Sequence, residues 1–361
     1  MALPHRVWCT ISLSALRSNL KTLRSSCPRG TRILAVVKDN AYGHGLVPVA
    51  RALAQAGCEE FGVACASEGA ELRGAGIRQP ILLLGSTLPS EFSDALQHRL
   101  TVTLSSMTEA RELARAAEKA GKTALAQIKL DTGMNRLGAR LAEFQKLTSF
   151  VSHHPRLDWI GTFTHLACAD SDLSFTRRQL RQVSALPKFL PHHWANTAAI
   201  LHRLPVPKTH ARPGLGLYGI SPVPRFSTML QPVLSWKSKV LLVREVPRGE
   251  TISYGATYRA QKTMKVATIA TGYAHGLPRS LSNRGRALIH GRSCPIVGRV
   301  TMDMSLLDVS QVPGVKRGDE VVWLGRSGKK RLTAADMARH AGTIPWEIFT
   351  RLSPSLPRII V

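Results

Sequence analysis

Lys38 follows an apolar run in "RILAVVKDNAYGHG". A strand that buries its side chains has little reason to end on an ammonium unless that amine binds something or reacts. A lysine amine is a nucleophile toward aldehydes, with which it forms a Schiff base. Further along, "KLDTGMNRLG" gathers Lys129, Asp131 and Arg136, and "THLA" carries His165. "WANTAA" brings Asn196 and Thr197, and "ARPGLGLYG" brings Arg212, Gly214 and Leu215. Guanidinium groups, a hydroxyl and a glycine-rich backbone suit an anion, because glycine lets N–H groups approach it closely. Taken singly, each residue reads more readily as a solvated side chain at a strand end, and His165 as a histidine satisfying a local hydrogen bond.

What makes them a group is the frame that carries them. From about residue 30 to residue 220, apolar runs alternate with helical patterns. "RILAVV" with "LVPVARALAQAG", "FGVAC" with "ASEGAELRGAG", and "PILLLG" with "EFSDALQHRL" are the first three pairs. "TVTLSS" with "TEARELARAAEKAG" and "ALAQIKL" with "AEFQKLTSFVSHH" continue the series, and "LDWIGTF", "HHWAN" and "THARPG" complete the strands. The helical segments "TRRQLRQVSALPKFL" and "AAILHRL" separate the last three. Strand–helix alternation implies parallel pairing, and eight strands predict an α/β fold, a closed (β/α)₈ barrel of the TIM type. In such a barrel, functional residues lie where strands end and the next loops begin. Every residue named above falls at such an end.

"VWCTISLSALRSNLKTLRS" predicts a short strand and an amphipathic helix ahead of the barrel. After residue 226 the pattern turns to short β-rich runs broken by Gly, Pro and charged turns, and helix signal returns only in "TAADMARHAG". "SPVPRFSTMLQP" reads as the linker. The expected organisation is a barrel over residues 1–226 and a mostly antiparallel β domain over 227–361.

Composition narrows the class. At 361 residues the chain is too long for one ordinary core, and 44% hydrophobic with 20% charged residues describes a folded protein. No signal peptide is apparent, and no run approaches the roughly 18 apolar residues of a membrane span, so a cytoplasmic location is expected. Six cysteines without a C-x-x-C pair read as reduced thiols, with no metal site. A net charge of +26, from 49 basic and 23 acidic residues, invites a nucleic-acid partner. The basic residues are spread along the chain, however, and aromatics are only 6%, which supplies a base-stacking surface poorly. A generally basic, solvated surface is the expectation, with no specific nucleic acid and no membrane as partner.

The loops after the seventh and eighth strands of such a barrel commonly hold a phosphate. Here they offer the Thr197 hydroxyl and "RPGLGLYG". A strand-end lysine facing a phosphate site points to pyridoxal 5'-phosphate, whose aldehyde condenses with an amine and whose ring accepts electrons.

With those residues in place, "AVVKDNAYGHG" resembles the cofactor-lysine motif of the alanine racemases, pyridoxal-phosphate enzymes of fold type III. The resemblance continues in family order through "FGVACASEGAELRGAGI", "IKLDTGMNRLG", "ANTAA", "RPGLGLYG", "ISYGATY" and "VGRVTMDM", across nearly the whole chain. It implies that Lys38 holds the cofactor and, once freed, acts as a base. Tyr42, Thr197 and backbone groups of Gly214 and Leu215 would bind the phosphate, and His165 and Asn196 would stand in the cofactor site. Arg212 would face the pyridine nitrogen. An arginine does not give up its proton, so that nitrogen would stay unprotonated and the ring would favour quick reprotonation over transamination.

The second base implied is Tyr254 in "ISYGATY", which by itself reads as a strand tyrosine beside Tyr258. A phenol titrates near about 10, so this role needs cationic neighbours, which the resemblance supplies as His165 and Arg212. Arg136 would bond the cofactor's phenolate oxygen on the substrate-carboxylate side. Tyr273 and Met302 would meet the substrate, with Asp303 beside them at the entrance. Lys129 would pair with Arg136 if carboxylated, as in some relatives, or with an acid as a plain lysine. A homodimer is implied, each partner's tyrosine completing the other's site. Three positions depart from the family pattern. His275 stands where aspartate is usual, Pro354 where some relatives have a phosphate-supporting tyrosine, and Ser355 where arginine is common; these bear on phosphate affinity and substrate access.

The expected function is interconversion of L- and D-alanine, the D-form serving peptidoglycan. A racemase of broader amino-acid preference would carry the same motifs. A non-catalytic pyridoxal-phosphate-binding barrel would lack the second domain and Tyr254. A decarboxylase of similar architecture would need a cysteine base and a different lysine motif.

Overall fold

A computed structural model, which describes residues 5–183, 186 and 189–361, opens on strand β1 (Val7–Ile11) and helix α1 (Leu13–Ser25). Strand β2 (Arg32–Val36) leads into a short turn of helix, α2 (Lys38–Gly43), and then α3 (Leu46–Gln55). The alternation runs on through β3 (Glu60–Val63), α4 (Ala66–Gly74), β4 (Ile81–Leu83), α5 (Phe92–Gln97), β5 (Val102–Leu104) and α6 (Met107–Lys119). It continues with β6 (Ala124–Lys129), α7 (Leu141–His153), β7 (Leu157–Phe163) and α8 (Leu173–Gln182). It ends with β8 (His192–His193), α9 (Thr197–Leu201) and β9 (His210–Ala211). The chain divides into two units, Ser14–Ala41 with Gly45–Gln231, and Met1–Leu13 with Tyr42–His44 and Pro232–Val361.

The first unit is the barrel. Two parallel four-stranded sheets, β4-β3-β2-β9 and β5-β6-β7-β8, make up its wall. A parallel bridge from Leu82 to Thr101 joins β4 to the start of β5. Across the other seam Arg212 donates its backbone N–H to the Ala195 carbonyl at 2.8 Å. Strands β3, β4 and β5 are buried along their whole length, as expected where helices cover one face and barrel interior the other. Helix α6 shows how a covering helix is specified. Its Ser106 cap accepts the Glu109 N–H, and Ala110, Leu113, Ala114 and Ala117 form the buried stripe. Of the segment expected as the sixth helix, Ser184, Ala185, Pro187 and Lys188 lie outside the described residues.

The second unit holds β10 (Leu234–Val246), β11 (Thr251–Ile252), β12 (Tyr258–Arg259), β13 (Met264–Ile269) and β14 (Arg286–Ile289). There follow β15 (Arg292–Pro295), β16 (Ser305–Asp308), β17 (Glu320–Ser327), β18 (Lys330–Leu332), α10 (Ala334–Ala341), α11 (Pro345–Thr350) and β19 (Arg358–Ile360). Its nine-stranded sheet runs β15-β14-β17-β10-β1-β19, with β13 and β16 branching from β10 and β18 from β17. All pairs are antiparallel except β1 with β19. Trp236 and Trp323 fill the centre with ring centroids 6.0 Å apart. The Trp323 indole N–H donates to Ser238 Oγ (2.9 Å) and Thr271 Oγ1 (3.1 Å), which lets a polar edge be fully buried.

Two expectations change here. The units divide at Gln231 and Pro232 rather than at 226 and 227, and strand β1 belongs to the β unit. The physical reason is pairing: β1 lies between β10 and β19, matching Cys9 with Trp236 and with Arg358. Helix signal also returns twice near the C-terminus, since α11 follows α10. α11 begins on Pro345, a good first residue for a helix but too short a segment to show a period.

Candidate active site

Strand β2 stops at Val36, short of Lys38. Its end is fixed by the Tyr218 hydroxyl, which donates to the Val36 carbonyl at 2.8 Å, and by the Val37 N–H, which donates to Gly62. The chain then winds the other way. Asp39, Asn40, Ala41 and Tyr42 all have φ between 51° and 54°, and Gly43 has 77°. Helix α2 is therefore a left-handed turn beginning at Lys38. L-residues pay about 1–2 kcal/mol each in that conformation, so four cost roughly 4–8 kcal/mol. Strain of this kind survives only where surroundings over-determine it, and it gathers at functional sites. The Lys38 side chain is 39% exposed, with its Nζ 3.3 Å from Asp39 Oδ2. So exposed a pair is weak, and it leaves the amine available to an incoming group.

Around the barrel rim the expected cations come together. Lys129 ends β6, and Asp131 Oδ1 accepts the N–H groups of Gly133, Met134 and Asn135, folding the loop that carries the exposed Arg136. Lys129 is 3% exposed, with Nζ 5.4 Å from the Phe163 ring centroid. Burial, then Arg212 and Arg136, push its pKa down to about 8. No carboxylate lies within ion-pair distance of Lys129 among the described residues, so the pairing with an acid is not made. Asp131 favours its charge only through the longer-range field. Arg212 is buried after β9 and donates through Nη2 to the Thr164 carbonyl and to His165 Nδ1, each at 2.9 Å. Its Nη1 faces His193 Nδ1, while His193 Nε2 lies 2.8 Å from Gln127 Oε1.

Both histidines are held neutral. Burial is the largest cause for each, followed by Arg212; for His165, Lys129, Arg136 and Lys38 add to it. His165 therefore does not act as a second cation for a phenol, which corrects that part of the expectation. A ring that must accept a hydrogen bond from a guanidinium cannot also be protonated at that nitrogen. Lys38, Lys129, Arg136 and Arg212 thus share one electrostatic neighbourhood around His165. His193 and Gln127 escaped the sequence reading, since nothing in "HHWAN" says which histidine faces the guanidinium.

Asn196 caps α9, its Oδ1 accepting the Ala199 N–H at 3.0 Å. Thr197 Oγ1 accepts from both Gly214 N–H (3.2 Å) and Gly216 N–H (3.1 Å). Gly214 thus gives its N–H to Thr197, not outward. The hydroxyl proton remains available to donate, and Leu215 opens the following 3₁₀ turn, where the first N–H groups have no intrahelical partner.

The other candidates belong to the β unit. Tyr42 leads to Gly43, where a Cβ would fall 2.3 Å from the Phe349 carbonyl oxygen. Arg358 donates from Nε to the Gly43 carbonyl, and from Nη1 to the carbonyls of Ser353, Pro354 and Leu356, closing the turn that contains Pro354 and Ser355. Tyr254 is no strand residue. It sits 73% exposed in a turn between β11 and β12, flanked by Ser253 (φ 67°) and Ala256 (φ 48°) in the left-handed region. Ser253 Oγ donates to the Arg299 carbonyl at 2.7 Å, which anchors that turn. Tyr273 and Met302 are exposed, and the Tyr273 N–H donates to Thr301 while the Ala274 N–H donates to Met302. Tyr273 lines a cavity of about 410 Å³ with Pro278, Arg279 and Arg351. His275 Nδ1 accepts the Gly272 N–H at 3.2 Å; burial lowers its pKa while exposed Asp303 works the other way.

A (β/α)₈ barrel with a lysine and a buried arginine on its rim, followed by a β domain, defines a class of two-domain enzymes. The alanine racemase N-terminal domain matches residues 11–222 and the alanine racemase C-terminal domain residues 233–360. The alanine racemase of Methylacidiphilum infernorum is 40% identical over 356 residues, covering 98% of this chain and 92% of that protein. Among solved structures, alanine racemase from Clostridium difficile 630 matches with a TM-score of 0.94 at 31% identity, covering 99% of this chain and 96% of that one. The enzyme from a D-cycloserine-producing Streptomyces lavendulae matches with a TM-score of 0.93 at 35% identity, covering 99% and 98%. The chain belongs to the alanine racemase family, and its reaction is the racemisation of alanine.

Proposed function

We propose that the protein is a homodimeric, pyridoxal-5'-phosphate-dependent alanine racemase that uses Lys38 and Tyr254 as its two bases. The observation that carries this reading is the partly exposed Lys38 amine on a rim where Lys38, Lys129, Arg136 and Arg212 all act on a neutral His165. The donor set fits the cofactor: a nucleophilic amine, a buried permanent cation, and a Thr197 hydroxyl whose proton is free for an anion. Thr197, Tyr42 and the Leu215 N–H would hold the phosphate, with Gly214 acting through Thr197 and Asn196 fixing the start of α9. Arg212 would face the ring nitrogen and keep it unprotonated. When bound, pyridoxal phosphate supplies an aldehyde that joins the amino acid and a ring that accepts the electron pair left at Cα.

Lys38 and Tyr254 would each move a proton on one face of Cα. Of the two cations expected near the phenol, His165 is neutral and Arg212 remains. Arg136 would orient the substrate carboxylate, and Tyr273, Met302 and Asp303 would shape the entrance. D-Alanine made this way would serve peptidoglycan, in the cytoplasm. Among the described residues no helix is long and apolar enough to cross a membrane.

The test is to incubate the purified holoenzyme with a panel of L-amino acids and measure D-products. Alanine is expected to dominate. Comparable rates on several amino acids would move the reading to a broad racemase, and bound cofactor without any D-product would move it to a non-catalytic binder.

Lys129 has its own expected outcome. A buried amine with its pKa near 8 and guanidinium groups for neighbours is suited to taking up CO₂. The neutral amine adds to CO₂, forming a C–N bond and releasing one proton, and the resulting carbamate would supply an anion for Arg136. Below about pH 8 the amine is protonated and cannot add, so at fixed CO₂ pressure uptake should rise with pH through that value. Carbon-13 NMR with labelled bicarbonate should show one protein carbamate that vanishes in Lys129→Gln. A signal unchanged by that substitution would assign it elsewhere.

A further inference from the structure

One fastening of the left-handed turn that presents Lys38 is Asn40, two positions away. Asn40 makes three hydrogen bonds: its N–H donates to Glu68 Oε1 (3.1 Å), its side-chain Oδ1 accepts the Leu46 N–H (2.8 Å), and its carbonyl accepts the Gly45 N–H (3.0 Å). Glu68 Oε2 meanwhile accepts the Ala64 N–H (2.9 Å), just beyond β3. One carboxylate thereby ties the loop after the first barrel strand to the loop after the second. It sits in the first turn of α4, where the helix end favours a negative charge.

We propose that Glu68 is a positioning residue, holding Asn40 in the left-handed conformation and so setting where the Lys38 amine points. The inference rests on the reading of Lys38 as the residue that carries the cofactor. The turn contains Ala41 and Tyr42, neither of which favours positive φ, so it does not hold its shape by its own preferences. Glu68 reaches the turn two residues from Lys38 with a charged acceptor, and charge-assisted bonds to N–H groups are the stronger kind. Without it, the backbone from Asp39 to Ala41 gains an alternative in the ordinary right-handed or extended regions. The amine would then be delivered correctly only part of the time.

The experiment compares wild type, Glu68→Ala, Glu68→Gln, Ala41→Gly and the double variant Glu68→Ala/Ala41→Gly. Two readouts are used: the rate at which pyridoxal phosphate becomes borohydride-fixed on Lys38 of the apoprotein, and kcat against KM for L-alanine. Glu68→Ala should slow attachment and lower kcat by on the order of tenfold, with KM little changed. Glu68→Gln, which keeps an acceptor, should fall between. Ala41→Gly removes a Cβ from a left-handed position without touching any polar contact, and so should leave the wild type near its usual rate. In the Glu68→Ala background it should recover several-fold of the lost attachment rate, because glycine enters that conformation freely. A purely structural Glu68 would lower melting temperature without changing attachment or kcat, and the glycine would rescue nothing; either result overturns the proposal. If the label in wild type lies on Lys38 yet Glu68→Ala attaches normally, the proposal fails while the reading of Lys38 stands. A label on another lysine removes both.

Discussion

Lys38→Ala is expected to lower racemisation by a factor on the order of 10⁴ or more, about 5.5 kcal/mol of lost barrier reduction. Two roles disappear together, the covalent hold on the cofactor and one of the two proton-transferring groups. Borohydride reduction of the wild type followed by peptide mapping should find the cofactor on Lys38, and the variant should carry no label. The credible competitor is Lys129. Its pKa near 8 leaves more free amine at neutral pH than an ordinary lysine has. Yet Lys129 is 3% exposed with the Phe163 ring beside it, whereas the Lys38 side chain is 39% exposed and its pair with Asp39 is a weak one. Reactivity here is decided by access. A small primary amine added to Lys38→Ala should return part of the lost rate, since it can replace the base without being tethered. A label found on Lys129 in the wild type would overturn the assignment.

The rim residues were legible because the barrel's grammar is local. Each parallel strand is a short apolar run and each covering helix has its own period, so strand ends could be located within a few residues. From there, Lys38, Lys129, His165, Thr197 and Arg212 followed from one rule about where barrels place chemistry. The features that escaped reading depend on pairings far apart in the chain. Strand β1 could not be assigned to the β unit from its own residues, because its neighbours β10 and β19 begin at Leu234 and Arg358. The neutrality of His165 comes from burial and from Arg212, 47 residues away. The same holds for the Thr197 hydroxyl, which takes the N–H groups of Gly214 and Gly216 only once β8 and β9 are adjacent. The left-handed turn at α2 is the sharpest case. Asn40 and Gly43 tolerate positive φ, but Ala41 and Tyr42 argue against it, and only fastenings such as Glu68 and the close fit at Gly43 decide the matter. Local preference and tertiary context disagree there, as functional sites often require.

Mixing two inactive variants should return about a quarter of wild-type activity if the site is shared between subunits. Take Lys38→Ala as one and Tyr254→Ala as the other, each expected to be inactive alone. Tyr254 belongs to the β unit, stands 73% exposed, and is presented by a turn with Ser253 and Ala256 in the left-handed region. Strain spent on an exposed tyrosine is consistent with a side chain built to meet something beyond its own chain. On the proposed head-to-tail dimer that partner is the Lys38 rim of the second subunit. A mixed dimer then has one site with both defects and one with neither. Random reassociation makes half of the dimers mixed, each with one good site of two, which gives the quarter. If Lys38 and Tyr254 of the same chain formed each site, every site in the mixture would carry one lesion and no activity would return. Subunit exchange must be shown separately, by pull-down of an untagged subunit with a tagged one. With exchange shown and activity absent, the shared site is wrong; with a quarter returned, Tyr254 acts across the dimer.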